Sequence, residues 1–217
     1  MRDKYRVIGP AYDFLSQLYS GRNIHRCKTA MLDMTTIRPG ARVLFAGAGH
    51  GRDAIRAAEL GAEVTVVDLS ATMLRKFDDA RRQEAPHLTI HTVHSDIMAI
   101  DTPGRYDMVV ANFFLNVFDE PMMERVLGHL IDLARAGGQV VVGDFCYPTG
   151  NPLARLFKKA YWYAAVFTFW LFANNAFHQI YNYPEHMQRM GLTIRDRKHF
   201  KLLNMDCYWS ILGQKPA

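Results

Sequence analysis

The stretch from Val43 to Asp68 constrains the fold more than any other. Val43-Leu44-Phe45-Ala46 is an apolar run of strand length, and Gly47, Gly49 and Gly51 follow at alternate positions. Arg52 to Ala58 is a good helix former ending near Gly61. A second apolar run, Val64 to Val67, closes on Asp68. The order is strand, glycine turn, helix, strand, acid, as in a parallel α/β unit. Glycines let the backbone turn tightly and approach a ligand where a Cβ would clash. The helix start presents unpaired N–H groups to that ligand. An acid at the carboxyl end of the second strand can accept hydrogen bonds from both hydroxyls of a ribose. The simpler alternative is a glycine turn with no ligand, and the acid at this spacing argues against it. A dinucleotide fingerprint would need a third glycine at position 52, where Arg52 stands, so the pattern is G-x-G-x-G.

The rest of the chain extends the alternation. Residues 1–37 read as helical: Pro10 begins a helix striped by Tyr12, Phe14, Leu15, Leu18 and Tyr19, and a second runs from about Asn23 to Met34. Pro39-Gly40 turns into the first strand. Ser70 is the expected N-cap of a helix carrying Met73, Leu74 and Phe77, and Pro86 ends that region. Leu88 to Val93 alternates as a third strand, followed by Ser95-Asp96-Ile97. Tyr106 to Ala111 is the fourth, with Asn112 at its carboxyl end. A helix starts at Asp119 or Pro121, and Gly137-Gly138 turns into a fifth strand, Gln139 to Asp144. Pro152 starts a long helical stretch, Pro184-Glu185 a short helix, and Leu192–Phe200 with Met205–Leu212 a closing β-hairpin.

With 217 residues, 49% of them hydrophobic, the sequence suits a single globular domain over 1–217 with a substantial core. The net charge of +5 raises the question of nucleic acid or an anionic surface. The basic residues are scattered and lack an aromatic–basic RNA-binding signature, so no nucleic-acid partner is expected. Cys27, Cys146 and Cys207 are far apart and form no C-x-x-C, which points to reduced thiols in a cytoplasmic protein. His91 and His94 have no cysteine beside them, so no metal is expected. The charged N-terminus shows no signal peptide.

The motif order resembles that of the class I S-adenosylmethionine (SAM) dependent methyltransferases over nearly the whole chain. Several stretches are closer to the ubiquinone/menaquinone C-methyltransferase (UbiE-like) branch. Val7 to Ser16 resembles its opening segment, Val67-Asp68-Leu69-Ser70-Ala71-Thr72-Met73-Leu74 its motif II, and Tyr106 to Val110 its fourth strand. Gly137-Gly138 through Phe145 resembles its fifth strand, and Tyr208 to Gly213 its last. The resemblance implies a Rossmann-like α/β fold: a mostly parallel seven-stranded sheet flanked by helices, with an antiparallel C-terminal hairpin. It implies SAM as cofactor, with Gly47, Ala48, Gly49 and Gly51 at the methionine and Asp68 at the ribose. Leu69, Met73, Asp96, Ile97 and Asn112 complete the site, and Tyr12 closes over it. Residues 1–37 and 148–190 become covers, the second on the acceptor side.

Two positions depart from the pattern. Phe45 stands where motif I carries the acid of the network that holds the methionine ammonium, and a buried phenylalanine cannot do that. Asp53, two residues past Gly51, is a candidate substitute. It is equally a favourable acid in the first turn of a helix. Leu115-Asn116 stands where the quinone branch has Arg-Asn, so only the asparagine matches.

Methyl transfer from a sulfonium needs position and electrostatics more than a fixed catalytic residue. If the acceptor needs a base, His178 is the first candidate and Tyr181 the second, with Tyr183 weaker; a hydrogen-bonded, half-buried histidine is the simpler reading of His178. The segment Tyr161–Phe172 is aromatic, and no Asp, Glu, Lys or Arg occurs from Ala160 through Pro184. Ala160 to Ala173 is too short for an ordinary transmembrane helix. It is a core helix, a wall of an apolar acceptor pocket, or an interfacial helix that brings 152–173 against a membrane. The expected function is methylation of a small apolar or aromatic acceptor. The alternatives are a SAM-binding relative with another reaction and a catalytically inactive binding module.

Overall fold

The computed structural model describes residues 23–148, 180–202 and 205–217. Expectations that fall on 1–22 and 149–179, including Tyr12, His178 and the aromatic segment, lie outside the described residues.

Seven strands form one sheet in the order β3-β2-β1-β4-β5-β7-β6. They are β1 (Arg42–Ala46), β2 (Glu63–Asp68), β3 (His91–His94), β4 (Tyr106–Asn112), β5 (Ala134–Phe145), β6 (Thr193–Leu202) and β7 (Met205–Gln214). The first five are parallel, and β7 runs antiparallel between β5 and β6. Residues 23–29 are helical (α1). They are followed by α2 (Arg52–Glu59), α3 (Ala71–Glu84), α4 (Glu120–Leu133) and α5 (Tyr183–Arg189). This is the expected α/β architecture with its C-terminal hairpin.

The period-two alternation of the strands sorts the core into two layers. Val43, Phe45, Met108, Val110 and Val141 face one side, packing with Ala54, Ile55 and Phe77 of α2 and α3. Leu44, Ala46, Val109, Val140 and Val142 face the other, with Val126, Leu127 and Leu130 of α4 and Met187 of α5. Strand β6 forms one edge. Its Arg195, Asp196, Arg197, Lys198 and His199 are all exposed, which discourages pairing with another chain.

Local boundaries follow cap chemistry. Ser70 Oγ accepts from Met73 N at the start of α3, and Asp119 from Met122 N at the start of α4.

Three expectations are corrected. The helix expected to reach Met34 ends at residue 29. Asp33 Oδ1 accepts from the N and Oγ1 of Thr35, and Thr36 Oγ1 donates to the Met31 carbonyl, so these side chains build a turn in place of another helical turn. The third strand is His91–His94, not Leu88–Val93. Leu88 N bonds back to Ala85, and Arg81 Nη1 donates to the Leu88 carbonyl, which takes that residue out of the ladder. Gly137-Gly138 lies inside β5 rather than before it. Tyr106 pairs with Ala134 but Met108 with Gln139, so the extra β5 residues bulge where Gly137 has φ 66°.

Candidate functional site

A cavity of about 510 Å³ opens beyond the carboxyl ends of β1, β2 and β4, within the usual range for small-molecule sites of roughly 300–1,000 Å³. Gly47, Ala48, Gly49 and Asp53 line it at one end. Asp68, Leu69, Met73, Asp96, Ile97 and Asn112 continue the wall. Ten residues expected from the sequence are thus brought together.

The loop after β1 locks onto the acid after β2. Gly47 N donates to Val67 O at 2.8 Å, and Ala48 N to Asp68 Oδ2 at 2.7 Å. Ser70 N donates to Asp68 Oδ1 at 2.7 Å. Two backbone donors therefore fix the rotamer of Asp68. A carboxylate has acceptor capacity beyond two bonds, so a vicinal diol fits its chemistry. The glycines differ in what they do. A Cβ on Gly51, at φ 73°, would lie 2.0 Å from the buried Phe77 ring. Gly51 does not line the cavity and serves the contact between loop and α3. Gly49, at φ 49°, lines the cavity, and a Cβ there would meet only Lys28 Nζ, at 3.2 Å.

Asp53 sits in the first turn of α2 and is only 6% exposed. Its Oδ2 accepts from Asn112 Nδ2 at 2.8 Å, and the same Nδ2 donates to the Lys28 carbonyl at 3.0 Å. Asn112 Oδ1 turns towards Gly143, where a Cβ would lie only 2.3 Å away. Phe45 is buried at the missing-acid position, among the side chains of α2 and α3. At the other end Asp96 Oδ1 accepts from Met98 N at 2.9 Å, capping a 3-10 turn, and the Asp96 side chain is exposed to the cavity mouth.

The sequence reading missed the remaining walls. Phe114, Val117, Phe118 and Met122 make the end beside Ile97 apolar. Phe113 has φ 53°, the one non-glycine positive φ among the described residues. Its ring meets Phe145 edge-on at 5.4 Å and Tyr208 at 5.8 Å. Lys28 Nζ lies 5.7 Å from the Phe113 centroid. No local pattern announces Lys28, because it stands on α1, remote in sequence from the glycine loop.

Of the three acid–base candidates, Tyr181 and Tyr183 are described, and neither lines the cavity. The Tyr181 hydroxyl donates to the Phe118 carbonyl at 2.8 Å. Burial first, then the Glu120, Asp119 and Asp144 carboxylates, push its pKa up to about 12. Tyr183 is buried and donates to Asp144 Oδ2 at 2.9 Å, while Asn116 Nδ2 and Phe145 N donate to Asp144 Oδ1. Burial pushes the Asp144 carboxyl up to about 7, against the pull of those hydrogen bonds. Burial chiefly, and the Asp144 charge, raise Tyr183. The three cysteines are buried and none is in a disulfide. Glu120, Glu124 and His186 bring metal-capable atoms within 4.8 Å of one another. The Arg189 guanidinium already pairs with Glu124, and none of the four lines the cavity. Among the described residues no helix is long and apolar enough to cross a membrane.

A family model described as a methyltransferase domain matches residues 43–138. The demethylmenaquinone methyltransferase of Renibacterium salmoninarum is 28% identical over 153 residues, which are 70% of this chain and 61% of that protein. The ubiquinone/menaquinone biosynthesis C-methyltransferase UbiE of Vibrio cholerae is 28% identical over 159 residues, 70% of this chain and 60% of that one. The chain therefore spans about three fifths of the length of these curated relatives. In fold it matches the 1,6-didemethyltoxoflavin-N1-methyltransferase of Burkholderia thailandensis. The TM-score is 0.65 at 19% identity, covering 100% of this chain and 92% of that one. It also matches the magnesium protoporphyrin IX methyltransferase of Synechocystis with bound S-adenosylhomocysteine. That TM-score is 0.66 at 19% identity, covering 99% and 100%. Residues 43–138 thus match a methyltransferase domain, the chain is similar to quinone C-methyltransferases, and its topology is that of the solved methyltransferases.

Proposed function

We propose that the protein transfers a methyl group from SAM to a small apolar or aromatic acceptor. The observation that carries this reading is the Asp68 carboxylate, fixed by Ala48 N and Ser70 N on the wall of a cavity beyond the strand ends. That acid suits a ribose diol. Asp96, at the mouth, suits an adenine amino group, with Leu69, Met73 and Ile97 as apolar neighbours of the ring. Gly47, Ala48 and Gly49 leave backbone room for the methionine part. Asp53, buried with one amide partner, suits its ammonium in place of the acid that Phe45 displaces. Asn112 positions Asp53 through their hydrogen bond. Gly51 supports the loop by packing.

When bound, SAM supplies an electrophilic methyl group on a sulfonium, and the chain's own work is to orient, desolvate and, where needed, deprotonate the acceptor. In this reading the whole chain is one domain. Residues 1–37, with Tyr12, cover the cofactor, and 148–190 cover the acceptor. His178 is the proposed base. Tyr181, with its pKa near 12, stays protonated at neutral pH and gives its one O–H to the Phe118 carbonyl, so it holds the cavity wall at Phe118 in place. The Phe113, Phe114 and Phe118 rings on the cavity wall favour a flat apolar acceptor. The names of the relatives make a quinone-like ring the first class to test, delivered from a membrane surface that 152–173 would touch.

The experiment is incubation of the protein with methyl-labelled SAM and a cell extract. Label in an organic-extractable aromatic product is expected. Label confined to a charged, water-soluble metabolite would refute the acceptor class, and no transfer to any fraction would favour the reading as a binding module.

A further inference from the structure

The cavity wall carries three acids, Asp53, Asp68 and Asp96, and among the described residues one Lys or Arg, Lys28. The ligand proposed above is a zwitterion at its amino acid end. It brings a carboxylate that the acids repel as well as an ammonium that they attract.

We infer that Lys28 binds the carboxylate of the cofactor's amino acid group, and that Lys28 and Asp53 together read this group as a zwitterion. The inference rests on the proposed function's assignment of SAM to this cavity. Among the described residues the Lys28 ammonium has no ion pair, and it lies beside the Phe113 ring and the open side of Gly49. A cation beside that glycine faces the loop whose N–H groups suit an anion. Its placement is built. The Asn112 side-chain amide donates both to the Lys28 carbonyl and to Asp53, so one group ties the cation-bearing helix to the buried acid. Cys27 Sγ donates to the Trp209 carbonyl at 3.1 Å and Lys198 Nζ to the Ala30 carbonyl at 2.8 Å, which dock the end of α1 on the sheet. With Phe45 removing the acid at the end of β1, the ligand's two charges are met from α1 and α2 instead. A buried carboxylate such as Asp53 gains from a cationic partner, and a ligand ammonium supplies one.

The test is calorimetric titration of the wild-type protein and Lys28→Met with S-adenosylhomocysteine and with its decarboxylated analogue, which keeps the amine. Wild type is expected to bind S-adenosylhomocysteine about tenfold or more tightly than the analogue, the scale of one charge-assisted contact. Lys28→Met should lose that preference by weakening only the carboxylate-bearing ligand, and Lys28→Arg should restore most of it. Equal affinity of wild type for both ligands overturns the inference without any variant. So does equal weakening of both ligands in a Lys28→Met protein that melts normally. So does unchanged binding with lower turnover, which would move Lys28 to the acceptor. Failure of wild type to bind either ligand overturns the cofactor assignment itself, a different and recognisable result.

Discussion

Alanine at Gly51 and at Gly49 should separate the two jobs of the glycine loop. Both positions have a left-handed φ, so each substitution costs about 1–2 kcal/mol in backbone strain alone. At Gly51 the new Cβ would also sit 2.0 Å from a carbon of Phe77, a ring with no exposed surface and no room to retreat. Overpacking of that kind adds about 1–3 kcal/mol, so Gly51→Ala should lose roughly 2–5 kcal/mol. At Gly49 the nearest atom is the far end of Lys28, which can swing aside, so strain is the whole cost to stability. For a chain of this size 1 kcal/mol is about 2–4 °C in Tm, and a thermal melt resolves the difference. Ligand binding should run the other way. The Gly49 Cβ enters the cavity wall, while that of Gly51 enters the core. Titration with S-adenosylhomocysteine should show the larger loss for Gly49→Ala. Equal melting losses, or a larger binding loss for Gly51→Ala, would refute this division.

Asp144→Asn tests the buried acid beneath the site. The folded carboxyl titrates near 7 against about 3.9 unfolded, so the native state binds more protons between those values. Its contribution to stability is complete below about pH 4 and is lost as pH rises through 7; the variant should lack a slope worth up to ~4 kcal/mol, read from urea unfolding at several pH values, and parallel profiles would contradict this. Asp53→Asn should weaken S-adenosylhomocysteine but not a deaminated analogue, and equal weakening would remove Asp53 from the ammonium. His178→Ala should lower turnover of the true acceptor more than cofactor binding. Phe169→Ser should weaken acceptor binding or stability, which a parallel melt separates.

Local signals made much of this molecule legible. Glycine spacing, the strand ending in Asp68 and the cap at Ser70 are contiguous patterns, and the topology follows from their order. The end of α1 is not legible locally, because apolar Met31 and Met34 keep the helical period while the Asp33 and Thr36 side chains bond to the backbone instead. The β5 bulge was hidden because Gly137-Gly138 reads as a turn whether or not strand pairing continues past it. Lys28 and the Asp144–Asn116–Tyr183 group escaped for another reason. Their partners come from separate elements, and only the packing of α1, the 3-10 turn Leu115–Val117 and α5 on the sheet brings them together.

The central claim is that Asp68 stands on the wall of a SAM site. Calorimetric titration of wild type and Asp68→Ala with SAM, each checked by a thermal melt, tests it most directly. Wild type should bind. The variant loses two ribose hydrogen bonds to a charged acceptor, each worth about 1.5–3 kcal/mol, so its affinity should fall at least tenfold. A wild-type protein that does not bind SAM, or a folded variant that binds it equally well, would contradict the account.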